Sequence, residues 1–246
     1  SYYIEKGYPN TAIIESLMTI LNSNYEEWRT NNPNASYLEF NFDPHKVSTS
    51  GALYDLDKLD NISKNIISKM TASEVYDELL KYTSEYDKSF NELITKYKDY
   101  TIKILNIERE QAKPRKDYAS FGAIKNNIWY MYDELFTHKD YEFQKITDKT
   151  EIKKILDTYI NSYFDENDDK ETWFNKIKEL CDNLGYASNM KEYKLNPENY
   201  KGNVADISTV LRVALTTKSM TPDLYEIMSL LGKDKIKNRF NIFNVE

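Results

Sequence analysis

The sequence holds a single cysteine, Cys181, and two histidines, His45 and His138. One cysteine excludes an intrachain disulfide, and a reducing, cytoplasmic location is the expectation. The two histidines stand far apart, so no pair at i, i+4 aims two imidazoles at one metal. Only six glycines and six prolines occur in 246 residues. That scarcity argues against a sheet protein with many turns. No apolar run approaches ~18 residues, so no membrane span is expected. No basic-then-apolar amino terminus is present, so no signal peptide is read. The chain opens on Ser1 rather than Met, which reads as the interior of something longer. No glycine-rich phosphate cradle and no Gly-x-Ser-x-Gly elbow occurs, and no catalytic set can be assembled. Cys181 falls on an apolar helical face, where a thiol is buried and inert.

What is present suits a globular protein of one large or two small domains, with 40% hydrophobic and 30% charged residues. Apolar residues recur at three and four, so the expected class is all-α. The 21 tyrosines combine a ring to bury with a polar tip, so some belong to the core and others to surfaces. The net charge of −7 speaks against a general nucleic-acid binder. It does not exclude a local basic patch, whose own field governs.

Along the chain, Tyr8-Pro9-Asn10 starts a helix whose Ile13, Ile14, Leu17, Met18 and Leu21 form one apolar stripe. Asn31-Asn32-Pro33-Asn34 is a turn. In Lys46–Leu59, Gly51 ends a small polar run, and Asp55 and Asp57 occupy the first turn of a helix. There Leu56, Leu59, Ile62 and Ile66 are expected to face a core. Thr71 with Glu74 and Ser89 with Glu92 read as capping boxes. Val75, Leu79 and Tyr86, then Phe90, Leu93, Ile94 and Tyr97, are expected inside. A third helix is expected over Asp99–Glu108. The polar run from Arg109 to Asp117 reads as the boundary between a first domain, 1–110, and a second, 111–246. A helix then carries Phe121, Ile124, Ile128, Trp129, Met131, Tyr132 and Leu135. Asp148 with Glu151 caps the next, and Lys170–Leu184 follows with Trp173, Ile177, Leu180, Cys181 and Leu184 on its apolar face and Gly185 as its stop. Asn203 opens a helix, Thr221-Pro222 opens the next, Gly232 ends it, and Lys233–Phe240 closes the chain.

Two short motifs mislead. Lys46-Val47-Ser48-Thr49-Ser50 looks like a phosphate-binding Lys-Met-Ser-Lys-Ser loop, but Thr49 replaces the second lysine, and the charge that would meet a phosphate is missing. Asp165, Asn167 and Asp169 fit three positions of a calcium loop. Lys170 stands where its glycine is needed and Lys176 where its bidentate glutamate is needed, so calcium is excluded.

Four phrases resemble one family in that family's order. These are Gly7-Tyr8-Pro9 with its helix, Gly51-Ala52-Leu53-Tyr54-Asp55, and Pro114-Arg115-Lys116-Asp117 leading to Tyr132-Asp133-Glu134-Leu135-Phe136. The fourth joins Leu211-Arg212-Val213-Ala214-Leu215-Thr216 to Thr221-Pro222-Asp223-Leu224. Together they resemble the post-catalytic half of bacterial, clostridial-type glutamyl-tRNA synthetases. That family's His-Ile-Gly-His and Lys-Met-Ser-Lys-Ser signatures are absent. The resemblance implies two consecutive helical bundle-like domains, the first against the inner corner and stem of tRNA(Glu), the second reading its anticodon. It implies no cofactor in this chain, with ATP and Mg used by an amino-terminal catalytic domain, and neither DNA nor a membrane as partner. Arg115, Lys116 and Lys125 are then candidates for phosphate contact near the hinge. Arg212 and Lys218 are candidates in the second domain, and Ser48, Ser50 and Gly51 for meeting the tRNA backbone. Two alternatives remain at this point: a free-standing helical adaptor for proteins, and the same portion of another class I synthetase such as a class I lysyl enzyme.

Overall fold

The computed structural model describes residues 1–48, 54–137 and 140–243. Among them the regular structure is helical, and no sheet forms. The contacts gather into two compact units, Ser1–Asn127 and Ile128–Glu246. The polar run expected as the boundary therefore lies inside the first unit.

The first unit holds α1 (Tyr2–Lys6), α2 (Asn10–Leu21), α3 (Tyr25–Asn31), α4 (Leu56–Lys69), α5 (Ala72–Tyr86), α6 (Lys88–Lys96), α7 (Lys98–Leu105) and all but the last residue of α8 (Ile124–Ile128). Helix α4 starts where Asp55 accepts hydrogen bonds from the backbone of Asp57 and Lys58, satisfying donors that a helix start leaves open. Its inward line is Leu59, Ser63 and Ile67, while Leu56 is exposed. Ile62 and Ile66 are only half-buried, one step round from the expected face. Helix α5 begins with the expected capping box of Thr71 and Glu74. Helix α6 does not use Ser89 and Glu92. Asp87 is its cap, and Ser89 donates its own hydroxyl to that carboxylate. Helix α7 ends at Leu105, short of the expected Glu108, whose φ of 54° is left-handed.

Polar side chains close this unit. Arg109 is buried, and its guanidinium donates to the carbonyls of Leu105 at 2.8 Å, Ile67 at 2.6 Å and Met70 at 3.0 Å. A residue of the polar run thus fastens the end of α7 to the end of α4. Glu15 of α2, also buried, accepts from the Tyr25 hydroxyl and from Arg29 at 2.8 Å (Nε) and 2.5 Å (Nη2). Near the amino end, Gly7 adopts φ 78° and its carbonyl accepts from Phe121 N at 2.8 Å. A Cβ on Gly122 would lie 2.5 Å from the Lys6 carbonyl oxygen, so only glycine lets these backbones meet.

The expected single helix through Phe121–Leu135 is broken. A 3-10 turn, Phe121–Ala123, runs into α8, and a second, Trp129–Met131, opens the next unit. The Asn127 side chain bonds back to the Ala123 carbonyl at 2.9 Å, and Ile128 leaves helical angles at φ −127°, ψ −3°. Asparagine competes with the helical ladder in this way. Phe121, Ile124, Ile128, Met131 and Tyr132 are nonetheless buried.

The second unit holds α9 (Lys149–Ser162), α10 (Lys170–Leu184), α11 (Met190–Leu195), α12 (Val204–Thr216) and α13 (Leu224–Ile242). Asp148, Asp169, Asn203 and Asp223 cap α9, α10, α12 and α13. Gly185, at φ 85°, stops α10 as expected. Helix α12 is the hub, buried from Val204 to Thr216 on most of its circumference and packed on α9, α10 and α13. Gly232, at φ 78° and ψ 167°, kinks α13, so its two segments bury Leu224, Ile227, Met228 and Leu231, then Ile236, Arg239 and Phe240. Arg239 is 2% exposed and donates to the carbonyls of Tyr130 at 2.5 Å and Leu215 at 2.7 Å. Its guanidinium also lies 3.9 Å from the centre of the Phe136 ring.

Candidate nucleic-acid interface

In the second unit the start of α10, the middle of α12 and the turn into α13 enclose a groove of about 660 Å³. That volume lies within the range of small-ligand sites. Its walls are apolar at Trp173, Phe174 and Leu224, and polar at Lys170, Glu171, Ser208, Arg212 and Asp223. The cap Asp169 accepts from Thr172 N, and its pKa is held down by the Thr172 side chain and backbone. One turn carries Trp173 and Phe174 side by side. Phe174 is 38% exposed, and Lys178 Nζ sits 4.8 Å from its ring centre.

Across the groove, Arg212 Nη1 donates to the Pro222 carbonyl at 2.7 Å, to the Thr221 carbonyl at 3.3 Å and to the Thr221 hydroxyl. The arginine thereby shapes the 221–223 turn. Asp223 caps α13 through Glu226 N at 3.0 Å and also meets Lys170 at 2.5 Å. The arrangement presents an exposed ring flanked by cations, beside a guanidinium and a turn of carbonyls. Such a surface can stack a flat heterocycle and bond its edge.

The other sequence candidates are more dispersed. Lys218 lies beyond α12, where its Nζ meets Glu142 at 3.2 Å. The same carboxylate accepts from Ser219 N at 3.0 Å, and these bonds hold the Glu142 pKa down. In the first unit Arg115 is tied to Asp117 at 2.5 Å and to Glu108 at 3.9 Å. Lys116 is exposed. The nearby Lys69 has its pKa lowered, first by burial and then by the positive charges of Arg29 and Lys116, so cations crowd there. Lys125 bonds Asp87 at 2.8 Å and lies over the Phe90 ring. Ser48 N donates to the Leu21 carbonyl at 3.3 Å. Ser50 and Gly51 lie outside the described residues. A second cavity, about 470 Å³, opens between α2, α3 and α4. Its cations Arg29 and Lys58 are paired with Glu15 and Glu26, which leaves it poorly suited to a phosphate.

Of the sequence candidates among the described residues, Arg212 alone lies in the groove. Phe174 and Lys170 were not anticipated as site residues. The available signal was the adjacent Trp173-Phe174 pair, since two consecutive aromatics cannot both face the core of one helix.

Comparison with known proteins places this groove in context. A family model described as an anticodon binding domain matches residues 198–243, a stretch that includes Ser208, Arg212, Asp223 and Leu224. A glutamate--tRNA ligase of Clostridium perfringens (strain SM101 / Type A) is 44% identical over 99% of this chain and 44% of its own length. One from Acetivibrio thermocellus is 46% identical over 97% of this chain and 43% of its own length. A crystal structure of a glutamate tRNA ligase from Elizabethkingia meningosepticum, in complex with its amino acid, shares the fold at a TM-score of 0.60 and 17% identity, covering 98% of this chain and 42% of that one. The chain thus spans less than half the length of these relatives. By sequence, the chain is similar along nearly its whole length to a part, less than half, of the bacterial glutamate--tRNA ligases.

Proposed function

We propose that this chain is the tRNA-holding part of a glutamate--tRNA ligase. The observation that carries the reading is the groove, because an exposed ring and an arginine line it together and half its wall lies in the anticodon-binding match. In this reading an unpaired base of the tRNA(Glu) anticodon stacks on Phe174, while the Arg212 turn bonds its edge. Lys116, with Lys69 nearby, supplies backbone attraction in the first unit, and Arg115, Lys125 and Lys218 act as weaker contributors because each already neutralises a carboxylate. The ATP-dependent charging step, with Mg, belongs to an amino-terminal catalytic portion outside this chain. A cytoplasmic setting follows from that role. Among the described residues no helix is long and apolar enough to cross a membrane.

The test is a salt-titrated binding measurement against tRNA(Glu) beside a copy with an altered anticodon. Preferential binding that weakens on changing the anticodon supports the reading. Equal weak binding to both reduces the role to backbone contact. No binding at low salt overturns it and favours a protein-binding adaptor.

A further inference from the structure

Helix α2 is built inside out. At 100° per residue, Ile13, Ile14, Leu17, Met18, Ile20 and Leu21 fall within an arc of about 160°. Yet the buried residues of this helix are Ala12, Glu15 and Ser16, which occupy the opposite arc. The six large apolar side chains are half-buried or exposed, with Leu17 at 44% and Leu21 at 46%. The rotation is fixed by Glu15, whose carboxylate is held by Tyr25 and Arg29 of α3. Of the exposed large hydrophobic residues in the chain, Tyr2, Ile4, Leu17, Leu21, Leu38, Phe42, Val47 and Leu56 all lie in the first 56 positions. Scattered exposure is ordinary, but one continuous apolar helix face marks a contact surface.

We infer that the outward face of α2, centred on Leu17 and Leu21, is the docking surface for the amino-terminal remainder of the ligase. Aliphatic side chains offer RNA neither charge nor a ring to stack on, so the occupant is protein. The relatives are more than twice as long as the stretch this chain matches, and the match is to their carboxyl-terminal part. Their additional chain therefore joins on the side of residue 1, nine residues before α2 begins. This rests on the reading of the chain as one part of a ligase, and not on its binding of RNA.

The experiment uses thiol reactivity. Cys181 is fully buried and its thiol is pushed up to about 12, so Leu17→Cys introduces one reactive group. The variant is made in this chain alone and in a fusion carrying the amino-terminal remainder of the Clostridium perfringens ligase. Maleimide alkylation should slow at least tenfold in the fusion. A control at Leu195→Cys, a site 78% exposed in the second unit, should keep its rate within twofold. Equal rates at Leu17→Cys in both contexts overturn the inference. So does a rate in the chain alone that falls with concentration as a dimer forms by light scattering, which assigns the face to a second copy. A further variant needs no fusion: Leu17→Glu with Leu21→Glu should leave the Tm of the chain alone within about 2 °C. A larger fall means the face is used inside this chain and also overturns the inference. Failure of the unchanged chain to bind tRNA would sink the proposed function and leave the thiol result standing.

Discussion

Truncating Phe174 to alanine separates stacking from charge. The ring is 38% exposed at the start of α10 and packs beneath Lys178. Its loss should therefore cost the fold little, about 0.5–1 kcal/mol for the cation–π contact. A base stacked on such a ring is worth about 1–3 kcal/mol, so Phe174→Ala should raise the Kd for an anticodon stem-loop by roughly 5- to 150-fold. No cation is removed, so the slope of log K against log salt should not change. Arg115→Glu with Lys116→Glu makes the opposite test on full-length tRNA. Each lost phosphate contact should flatten that slope by about 0.7–0.9. Fluorescence anisotropy between about 50 and 200 mM salt reads both quantities. A Kd for Phe174→Ala within twofold of the parent, with Phe174→Tyr indistinguishable from it, would refute the stacking site. A loss that appears only at low salt would assign Phe174 to charge placement instead.

Arg239→Met leaves the Tyr130 and Leu215 carbonyls without their donor and should destabilise the second unit by about 3 kcal/mol. A urea midpoint shift equivalent to less than about 1 kcal/mol would mean water replaces the guanidinium. Gly122→Ala drives a Cβ against the Lys6 carbonyl and the Tyr82 hydroxyl and should cost about 1–3 kcal/mol, read as a lowered Tm. Cys181, its thiol pushed up to about 12, first by burial and then by the Asp182 charge, should resist alkylation at pH 8 in the native state and react on unfolding in urea. Stoichiometric labelling of the folded chain would contradict its placement.

Much of the second unit was legible because its signals are local. Asp169 and Gly185 bracket α10, Asn203 opens α12, and Gly232 interrupts α13 at a backbone angle that glycine alone takes easily. Residues 121–135 misled because apolar spacing persists while the backbone does not stay helical. Asn127 and Ile128 break the ladder, yet their neighbours still point inward. Asp87 outcompetes Ser89 as a cap because a carboxylate one residue before the first turn can take both the Phe90 amide and the Ser89 hydroxyl. Arg109 and Glu15 were beyond sequence reading for one shared reason. Their partners are backbone carbonyls or a tyrosine and an arginine brought close only by folding, and a charged letter by itself gives no hint of burial. In the groove, Arg212 stood out from its phrase, whereas Phe174 was hidden beside a tryptophan that fits the apolar face.

The trio of Glu15, Tyr25 and Arg29 has a consequence for how α2 can move. Oily contacts tolerate rolling, since one aliphatic group replaces another at little cost. A carboxylate gripped by a hydroxyl and two guanidinium nitrogens does not, because a turn of one residue would strand a buried charge. The helix is therefore keyed in angle by directional bonds beneath it, and Leu17 and Leu21 are presented outward at a fixed bearing instead of collapsing inward. A neighbour meeting that face would find a rigid template and have little ordering left to do on arrival.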